Sequence, residues 1–294
     1  MKIIKRNGSE TEFDKSKIAV AISKANNAVE ESCRITPLQI DRIVESVVIS
    51  CETLGRSPEV EEVQDRILKD YADDFGKHTT PDTATKVRMI WDSIPSQIAR
   101  DNNKFIFSHV KQGARAKDLE AALEWIVNAG IVHKLKLVSI PELPLSGMAD
   151  NTYFKIYMSD VGLLRRKSNV NYRTILQGDA SYIHFKGALT ENYIMTQLKC
   201  IGIDSYFWRT KADAEIDFIT DYEGALLPIE VKSADNTRAK SLHLFCNRYQ
   251  PKMAIKTSLK NVGDNMDAAT HVWSIPLYVF FRMKEYVAHE MGWK

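Results

Sequence analysis

The chain has 294 residues, 44% of them hydrophobic, which is enough for two or three domains with substantial cores. Its 40 basic and 38 acidic side chains leave a net charge of +2, which excludes a polycationic nucleic-acid binder and confines any basic surface to a local patch. The four cysteines form no Cys-x-x-Cys pair, and no apolar stretch is typical of a signal peptide or a membrane span. We therefore expect a cytoplasmic protein with reduced thiols and no membrane contact.

The first 69 residues predict a small domain that is rich in helices and opens with a β-hairpin. The turn sequence Asn7-Gly8 lies between two short strand-like segments. Asp14 is a suitable N-cap for the helix that follows, and Thr36-Pro37 and Ser57-Pro58 each combine a hydroxyl N-cap with proline at the first helical position.

This segment resembles the ATP-cone, a small regulatory nucleotide-binding domain of ribonucleotide reductases and of their transcriptional repressor. The matching residues are 4–8, 13–18 and 60–64. The resemblance implies that Lys5, Arg6, Lys17 and Ile18 line a site for ATP or dATP. Three cations close to a helix amino terminus are also favourable for phosphate on physical grounds. The family's closing Tyr-x-x-Tyr-Arg-like sequence has no counterpart here, which leaves open whether the segment is complete or is only a basic hairpin with solvated lysines.

Residues 70–165 predict a helical region that ends in a winged-helix-like arrangement. Helices begin at Pro81 and near residue 116, Pro95 is expected to kink or break the first of them, and strands follow over 131–138 and 154–158. Such folds bind DNA or mediate contacts between domains. Since few cations lie at the start of the second helix, we favour contacts between domains.

The strongest chemical signal lies in residues 166–294, on two short predicted strands. Asp217 lies on the first strand, and Glu230 and Lys232 lie on the second, where alternation directs them to one side while Ile229 and Val231 enter a core. Two carboxylates on neighbouring strands can bind Mg²⁺ or Mn²⁺, and an adjacent lysine can stabilise charge on a phosphate.

A third carboxylate precedes these strands on a predicted helix. Glu191 shares an apolar stripe with Ile194, Met195 and Leu198, and an unpaired charge is costly to bury there, so we expect Glu191 to meet a cation, a donor or a metal. The order of helix acid, strand acid and Glu-x-Lys resembles the PD-(D/E)xK restriction-endonuclease-like superfamily. The resemblance implies that Asp217 and Glu230 are metal ligands, that Glu191 supports them, and that Lys232 is the catalytic lysine.

A broader resemblance covers residues 70–278, which look like the carboxy-terminal half of an uncharacterised family of prokaryotic AAA-type ATPases. The matching segments are 74–79, 90–95, 113–115, 160–164, 185–193 and 214–232. In that family a P-loop ATPase precedes this half. No Gly-x-x-x-x-Gly-Lys-[Ser/Thr] motif occurs in the chain, so we expect no P-loop ATPase activity.

These patterns predict an α+β or α/β multidomain protein with segments at 1–69, 70–165 and 166–294. The first hypothesis for its function is a protein that binds ATP or dATP and carries a Mg²⁺-dependent, phosphodiesterase-type nuclease domain acting on DNA or RNA. The alternative is a non-catalytic, nucleotide-responsive module that binds a protein partner or itself. The junction near Lys69 also raises the hypothesis of a recombined or truncated gene.

Overall fold

The computed structural model describes residues 2–4, 10–27, 31, 34–54, 57–99, 104–171, 182–210, 214–233 and 239–290. The chain opens with an antiparallel hairpin of β1 (Lys2–Ile4) and β2 (Glu10–Glu12), in which Lys2 lies opposite Glu12. This confirms the predicted hairpin, whose turn residues Asn7 and Gly8 lie outside the described residues.

Helices dominate the next part of the chain, and their starts follow the predicted capping residues. They are α1 (Lys15–Asn27), α2 (Pro37–Leu54), α3 (Ser57–Asp74), α4 (Pro81–Ile98), α5 (Phe107–Val110) and α6 (Ala116–Asn128). At the start of α4, the Thr80 hydroxyl accepts a hydrogen bond from the Thr83 amide, as a hydroxyl N-cap should. Of the kink or break that we expect at Pro95, the break does not occur, because Pro95 lies within α4, which continues to Ile98.

The remaining elements alternate between strands and helices. They are β3 (Val132–Val138), β4 (Ala149–Met158), α7 (Val161–Lys167), α8 (Ile183–Cys200), β5 (Tyr206–Arg209), β6 (Glu215–Tyr222), β7 (Ala225–Val231), α9 (Lys240–Tyr249), β8 (Met253–Ser258), β9 (Gly263–Asp267), β10 (Thr270–Pro276) and α10 (Met283–Glu290). Short 3₁₀ turns cover Leu145–Met148 and Leu277–Arg282.

Strands β3 to β10 form one eight-stranded mixed sheet in the order β4-β3-β5-β6-β7-β8-β10-β9. The pairs β3–β5, β7–β8 and β8–β10 are parallel, and the other neighbours are antiparallel. The hairpin β3–β4, which we expect to be part of a winged-helix-like region, thus belongs to the same sheet as the strands that carry Asp217 and Glu230. The mixture of helices with this sheet confirms the predicted α+β class.

Apolar side chains cover both faces of the sheet. Helix α8 packs on one face through Ile194 and Met195, which share a core cluster with Ile229 and Ile255. Helix α9 packs on the other face in a cluster that includes Phe245. Since Ile229 and Val231 lie in the α8 cluster, the predicted alternation along β7 is observed.

A further core cluster joins the helical part of the chain to the sheet. It contains side chains from α4, α6, β4, α7 and the first half of α8, and the carboxy-terminal half of α3 packs against it through Ile67, Leu68 and Tyr71. The predicted boundary at residue 69 falls inside α3, and the one at residue 165 falls inside α7. Within the described residues, no helix is both long and apolar enough to cross a membrane.

Candidate functional site

The candidate site lies where β6 and β7 separate. The last register pair of these antiparallel strands at this end is Phe218 with Ile229, and beyond it the Val231 amide donates a hydrogen bond to Asp217 Oδ2 at 2.7 Å. A β-bulge falls in the same part of β6, because two steps along β5 oppose three steps from Ile219 to Ile216. Bulges of this kind redirect side chains and occur often beside active sites.

Glu230 and Lys232 form a close pair on β7, on the side of the strand opposite to Ile229 and Val231. Lys232 Nζ lies 2.5 Å from Glu230 Oε1, and Glu230 is only 3% exposed. Its second oxygen, Oε2, is buried and has no hydrogen-bond partner within the described residues. A buried carboxylate oxygen without a donor is costly, so this atom is available to a cation or a proton.

Glu191 contacts both a hydrogen-bond donor and a cation, as expected. Both lie on β4, a strand that the sequence did not connect with Glu191. The Tyr157 hydroxyl donates a hydrogen bond to Glu191 Oε2 at 3.0 Å, and Lys155 Nζ lies 3.7 Å from the same oxygen. Lys155 also lies 2.5 Å from Glu215 Oε1 and 5.0 Å from the centre of the Phe207 ring. Glu191 is therefore held by β4, on the far side of β3 and β5.

Lys155 and Tyr157 are the functional candidates that sequence reasoning missed. Lys155 is 1% exposed and Tyr157 is fully buried. The available signal was a lysine and a tyrosine on the same side of an otherwise apolar strand, Phe154 to Met158. Lysine is almost never buried unless it is paired, so this pattern indicates an acidic partner without showing which one.

The acidic side chains outnumber the basic ones at this site. The acids are Glu191, Glu215, Asp217 and Glu230, and the lysines are Lys155 and Lys232, with Arg209 Nε 3.9 Å from Glu215 Oε2. If all of these groups were ionised, the cluster would carry one net negative charge. Binding of one proton would therefore neutralise the net charge of the cluster, and binding of one divalent cation would make that net charge positive.

The pKa values reflect this crowding. Burial, reinforced by Glu230 and Glu191, raises the pKa of Asp217 well above its usual range, and burial also raises the pKa of Glu230, although Lys232 opposes that shift. Burial disfavours the charge on Lys155, yet Glu191, Glu215 and Asp217 outweigh it and raise the pKa of this lysine. The lysines thus stay charged, while the raised pKa values of Asp217 and Glu230 favour retention of a proton in the cluster.

Asp217 and Glu230 offer the oxygen atoms that Mg²⁺ or Mn²⁺ prefers. Among the residues for which the structure gives positions, no group of three His, Cys, Asp or Glu side chains is arranged to hold a metal ion. Glu191 is instead engaged by Lys155 and Tyr157. Of the oxygen atoms that Asp217 and Glu230 offer, Asp217 Oδ2 accepts a hydrogen bond from the Val231 amide, and Glu230 Oε2 has no donor among the described residues.

The predicted nucleotide site is described only in part. Lys17 and Ile18 lie in the first turn of α1, where Asp14 accepts hydrogen bonds from the amide and hydroxyl of Ser16 at 3.0 and 2.6 Å. Lys5 and Arg6 lie outside the described residues. The structure thus places two of the four predicted residues at one helix start and leaves the other two as predictions.

Three protein-family models match parts of the chain, and two of the matches overlap over residues 52–93. Residues 1–93 match the ATP cone domain, residues 52–174 match "Domain of unknown function (DUF8612)", and residues 186–278 match "Domain of unknown function (DUF4143)". The ATP-cone prediction is confirmed. The match supports a regulatory role that involves nucleotide binding, and it extends beyond residue 69. The third match includes Glu191, Asp217, Glu230 and Lys232.

Two curated mycobacterial proteins are also similar to a short part of the chain. They are "Uncharacterized protein Mb2031c" of Mycobacterium bovis and "Uncharacterized protein Rv2008c" of Mycobacterium tuberculosis, each 32% identical over 80 residues. The matched region covers 26% of this chain and 17% of each relative. No solved structure matches the chain significantly.

Proposed function

We propose that this protein is a nucleotide-regulated, Mg²⁺- or Mn²⁺-dependent phosphodiesterase of the nuclease type, acting on DNA or RNA, with ATP or dATP bound by its amino-terminal segment. The observation that carries the proposal is the convergence of Asp217, Glu230 and Lys232 in a negatively charged cluster. Glu230 Oε2 is buried there without a hydrogen-bond donor among the described residues. A carboxylate site of this kind is suited to a hard divalent cation.

Each side chain has a distinct role in this proposal. Lys232 holds Glu230 Oε1 and leaves Oε2 available, and its ammonium can stabilise negative charge that develops on a phosphate. The Val231 amide fixes the direction of the Asp217 carboxylate. When bound, Mg²⁺ or Mn²⁺ would supply polarisation of the phosphate and activation of water. Glu191, steadied by Lys155 and Tyr157, contributes negative charge that favours cation binding.

A plasmid-nicking assay with Mg²⁺ or Mn²⁺ tests the enzymatic part. We expect the wild type to nick, and we expect Asp217→Asn and Lys232→Ala to lose at least about 100-fold in rate, as removal of a group central to catalysis usually does. Asp221→Asn, an exposed change on the same strand, should retain activity and serves as the matched control. Equal nicking by the wild type and Asp217→Asn would show that the activity comes from a contaminant.

Calorimetric titration with ATP and dATP tests the nucleotide part. We expect saturable binding that Lys17→Ala weakens, because Lys17 lies at the amino-terminal turn of α1. Lys24→Ala, in the last turn of the same helix, is the control and should bind as the wild type does. No heat at millimolar nucleotide would overturn the assignment of ATP or dATP as ligands.

The alternative is a non-catalytic, nucleotide-responsive module that binds a protein partner or a second copy of itself. The contact of Lys155 with both Glu191 and Glu215 favours it, since an internal cation already compensates part of the acidic cluster. A fold can retain such a cluster as a scaffold. Nucleotide binding without metal-dependent nicking would support this alternative over the nuclease.

A further inference from the structure

A cavity beside the carboxylate cluster carries a second set of polar side chains. Its volume is about 370 Å³, and it lies between α9 and strands β8, β9 and β10. The polar residues that line it are Lys240, His243, Lys256, Asn265 and Asp267, with Leu242 and Val272 as apolar wall. A space of this size is large enough for a phosphate group together with part of its sugar.

The cavity has a positive balance. His243 Nδ1 lies 2.5 Å from Asp267 Oδ1, and Asn247 Nδ2 lies 2.9 Å from His243 Nε2, so the acid of the cavity already has a partner. Neither Lys240 nor Lys256 forms an ion pair with any other residue in the described part of the chain. Two ammonium groups therefore remain to meet an anion, whereas Asn265 Nδ2 already donates one hydrogen bond, to the Met266 carbonyl oxygen at 3.5 Å.

The cavity adjoins the candidate catalytic residues through the sheet. Lys256 on β8 is the register partner of Glu230 on the parallel neighbour β7, and adjacent strands lie about 4.8 Å apart. Residues in register on neighbouring strands project to the same face of a sheet, so Lys256 and Glu230 share a face. The first turn of α9 is tied to the start of β6, because the Glu215 amide donates to Ser241 Oγ at 3.4 Å.

We propose that this cavity is a phosphate subsite for a nucleic-acid strand, in which Lys240 and Lys256 bind a backbone phosphate next to the one that faces Asp217 and Glu230. The subsite rests on the proposed nuclease function. Its contribution is to position the strand, since contacts to phosphate fix register and carry no base sequence. Its lysines add positive charge beside a cluster whose acids outnumber its cations, and a nucleic acid must be bound there despite that net negative charge.

The test measures binding of a fluorescently labelled single-stranded or duplex oligonucleotide by anisotropy over a range of salt concentrations. All proteins carry Asp217→Asn to prevent cleavage. In that background we expect the double variant K240Q/K256Q to bind about tenfold more weakly, and the slope of log affinity against log salt to fall by about one. The matched control is K252Q/K260Q, which removes two exposed lysines outside the cavity and should bind within about twofold of the parent.

The outcomes separate the subsite from the nuclease proposal. An equal loss of affinity in both double variants would overturn the subsite, because the effect would then follow net charge alone. In a separate nicking assay on proteins that retain Asp217, cleavage that K240Q/K256Q leaves unchanged would also overturn the subsite and would leave the nuclease standing. Recovery of affinity by K240R/K256R, with an unchanged melting temperature in every variant, would support the subsite and exclude a folding defect.

Discussion

Two networks of basic and acidic side chains in this molecule differ in their burial. In the carboxylate cluster, Lys155 is 1% exposed and contacts Glu191 and Glu215. At the α3–α7 interface, the side chain of Arg166 is 29% exposed and that of its partner Asp65 is 51% exposed. The interaction between two charges is stronger, and is screened less by salt, where water is excluded. The two networks should therefore respond differently to mutation, pH and salt.

The interface also differs in what it connects. Arg165 Nη1 lies 3.1 Å from Glu61 Oε1, its Nη2 donates to Gln64 Oε1 at 2.9 Å, and Arg166 lies 2.5 Å from Asp65. These α3 residues lie within the part that matches the ATP cone domain, and α7 packs against α8, the helix of Glu191. The exposed network thus joins two parts of the chain, while the buried one organises a site.

The largest effect should come from Lys155→Met. This change removes the fully buried cation from Glu191 and leaves Glu215 with Arg209 Nε at 3.9 Å, and breaking a buried pair from one side typically costs about 3–5 kcal/mol. The urea midpoint followed by tryptophan fluorescence measures the loss.

Lys134→Met on the neighbouring strand β3 is the matched control. Lys134 Nζ lies 2.6 Å from Glu124 Oε1, and the Glu124 side chain is 43% exposed, so the expected cost is about 1 kcal/mol or less. If both variants lost the same stability, the distinction between the two networks by burial would be wrong.

A change in the opposite direction is expected for Asp217→Asn, which should stabilise the protein by about 1 kcal/mol near neutral pH. The pKa of Asp217 is raised in the folded state, so the folded state holds a proton that the unfolded state releases as the pH rises above 3.8. The stability of the wild type should therefore fall from pH 4 toward the folded pKa, whereas the asparagine variant lacks this titration.

Urea midpoints of both proteins between pH 4 and 8 measure the effect. The advantage of Asp217→Asn should grow with pH and should disappear near pH 4, and Asp221→Asn should show no such trend. A constant difference at every pH would mean that the carboxyl of Asp217 does not titrate abnormally in the folded state.

The sequence predicted the features that depend on neighbours along the chain. Helix starts follow from Thr80-Pro81 and Asp14, and the alternation at Glu230 and Lys232 follows from strand geometry, because these signals act over a few residues. Pro95 is the exception, since packing of α4 on both sides of it holds the helix together.

The contacts that the sequence did not predict are all distant in the chain. Lys155 meets Glu215 across 60 residues, and Arg166 meets Asp65 across 101. Both contacts depend on the order of strands and helices in space, in particular on β4 and β3 joining the same sheet as β6. Local periodicity contains no information about this order. The sequence therefore predicted that Glu191 has a partner, but it did not identify Lys155 and Tyr157 as the partners.

An intermediate effect is expected for Arg165→Gln. The Arg165 side chain is 13% exposed and donates to Glu61, Gln64 and the Val170 carbonyl, so its removal leaves several acceptors with fewer donors. We expect the free energy of unfolding, measured by urea denaturation at low salt, to fall by about 1–2 kcal/mol. A loss as large as that of Lys155→Met would show that the interface behaves as a buried network.

The smallest effect should come from Arg166→Ala, because Arg166 and Asp65 are both accessible to water. Exposed pairs contribute about 0.2–1 kcal/mol, and screening at 1 M salt shortens the range of the interaction to about 3 Å. The difference in urea midpoint between the wild type and Arg166→Ala should therefore be measurable at low salt and nearly absent at 1 M NaCl. The effect of Lys155→Met should persist at 1 M NaCl, since ions do not enter the buried cluster. If the two variants lost the same fraction of their effect with salt, solvent would have to reach Lys155 as easily as it reaches Arg166.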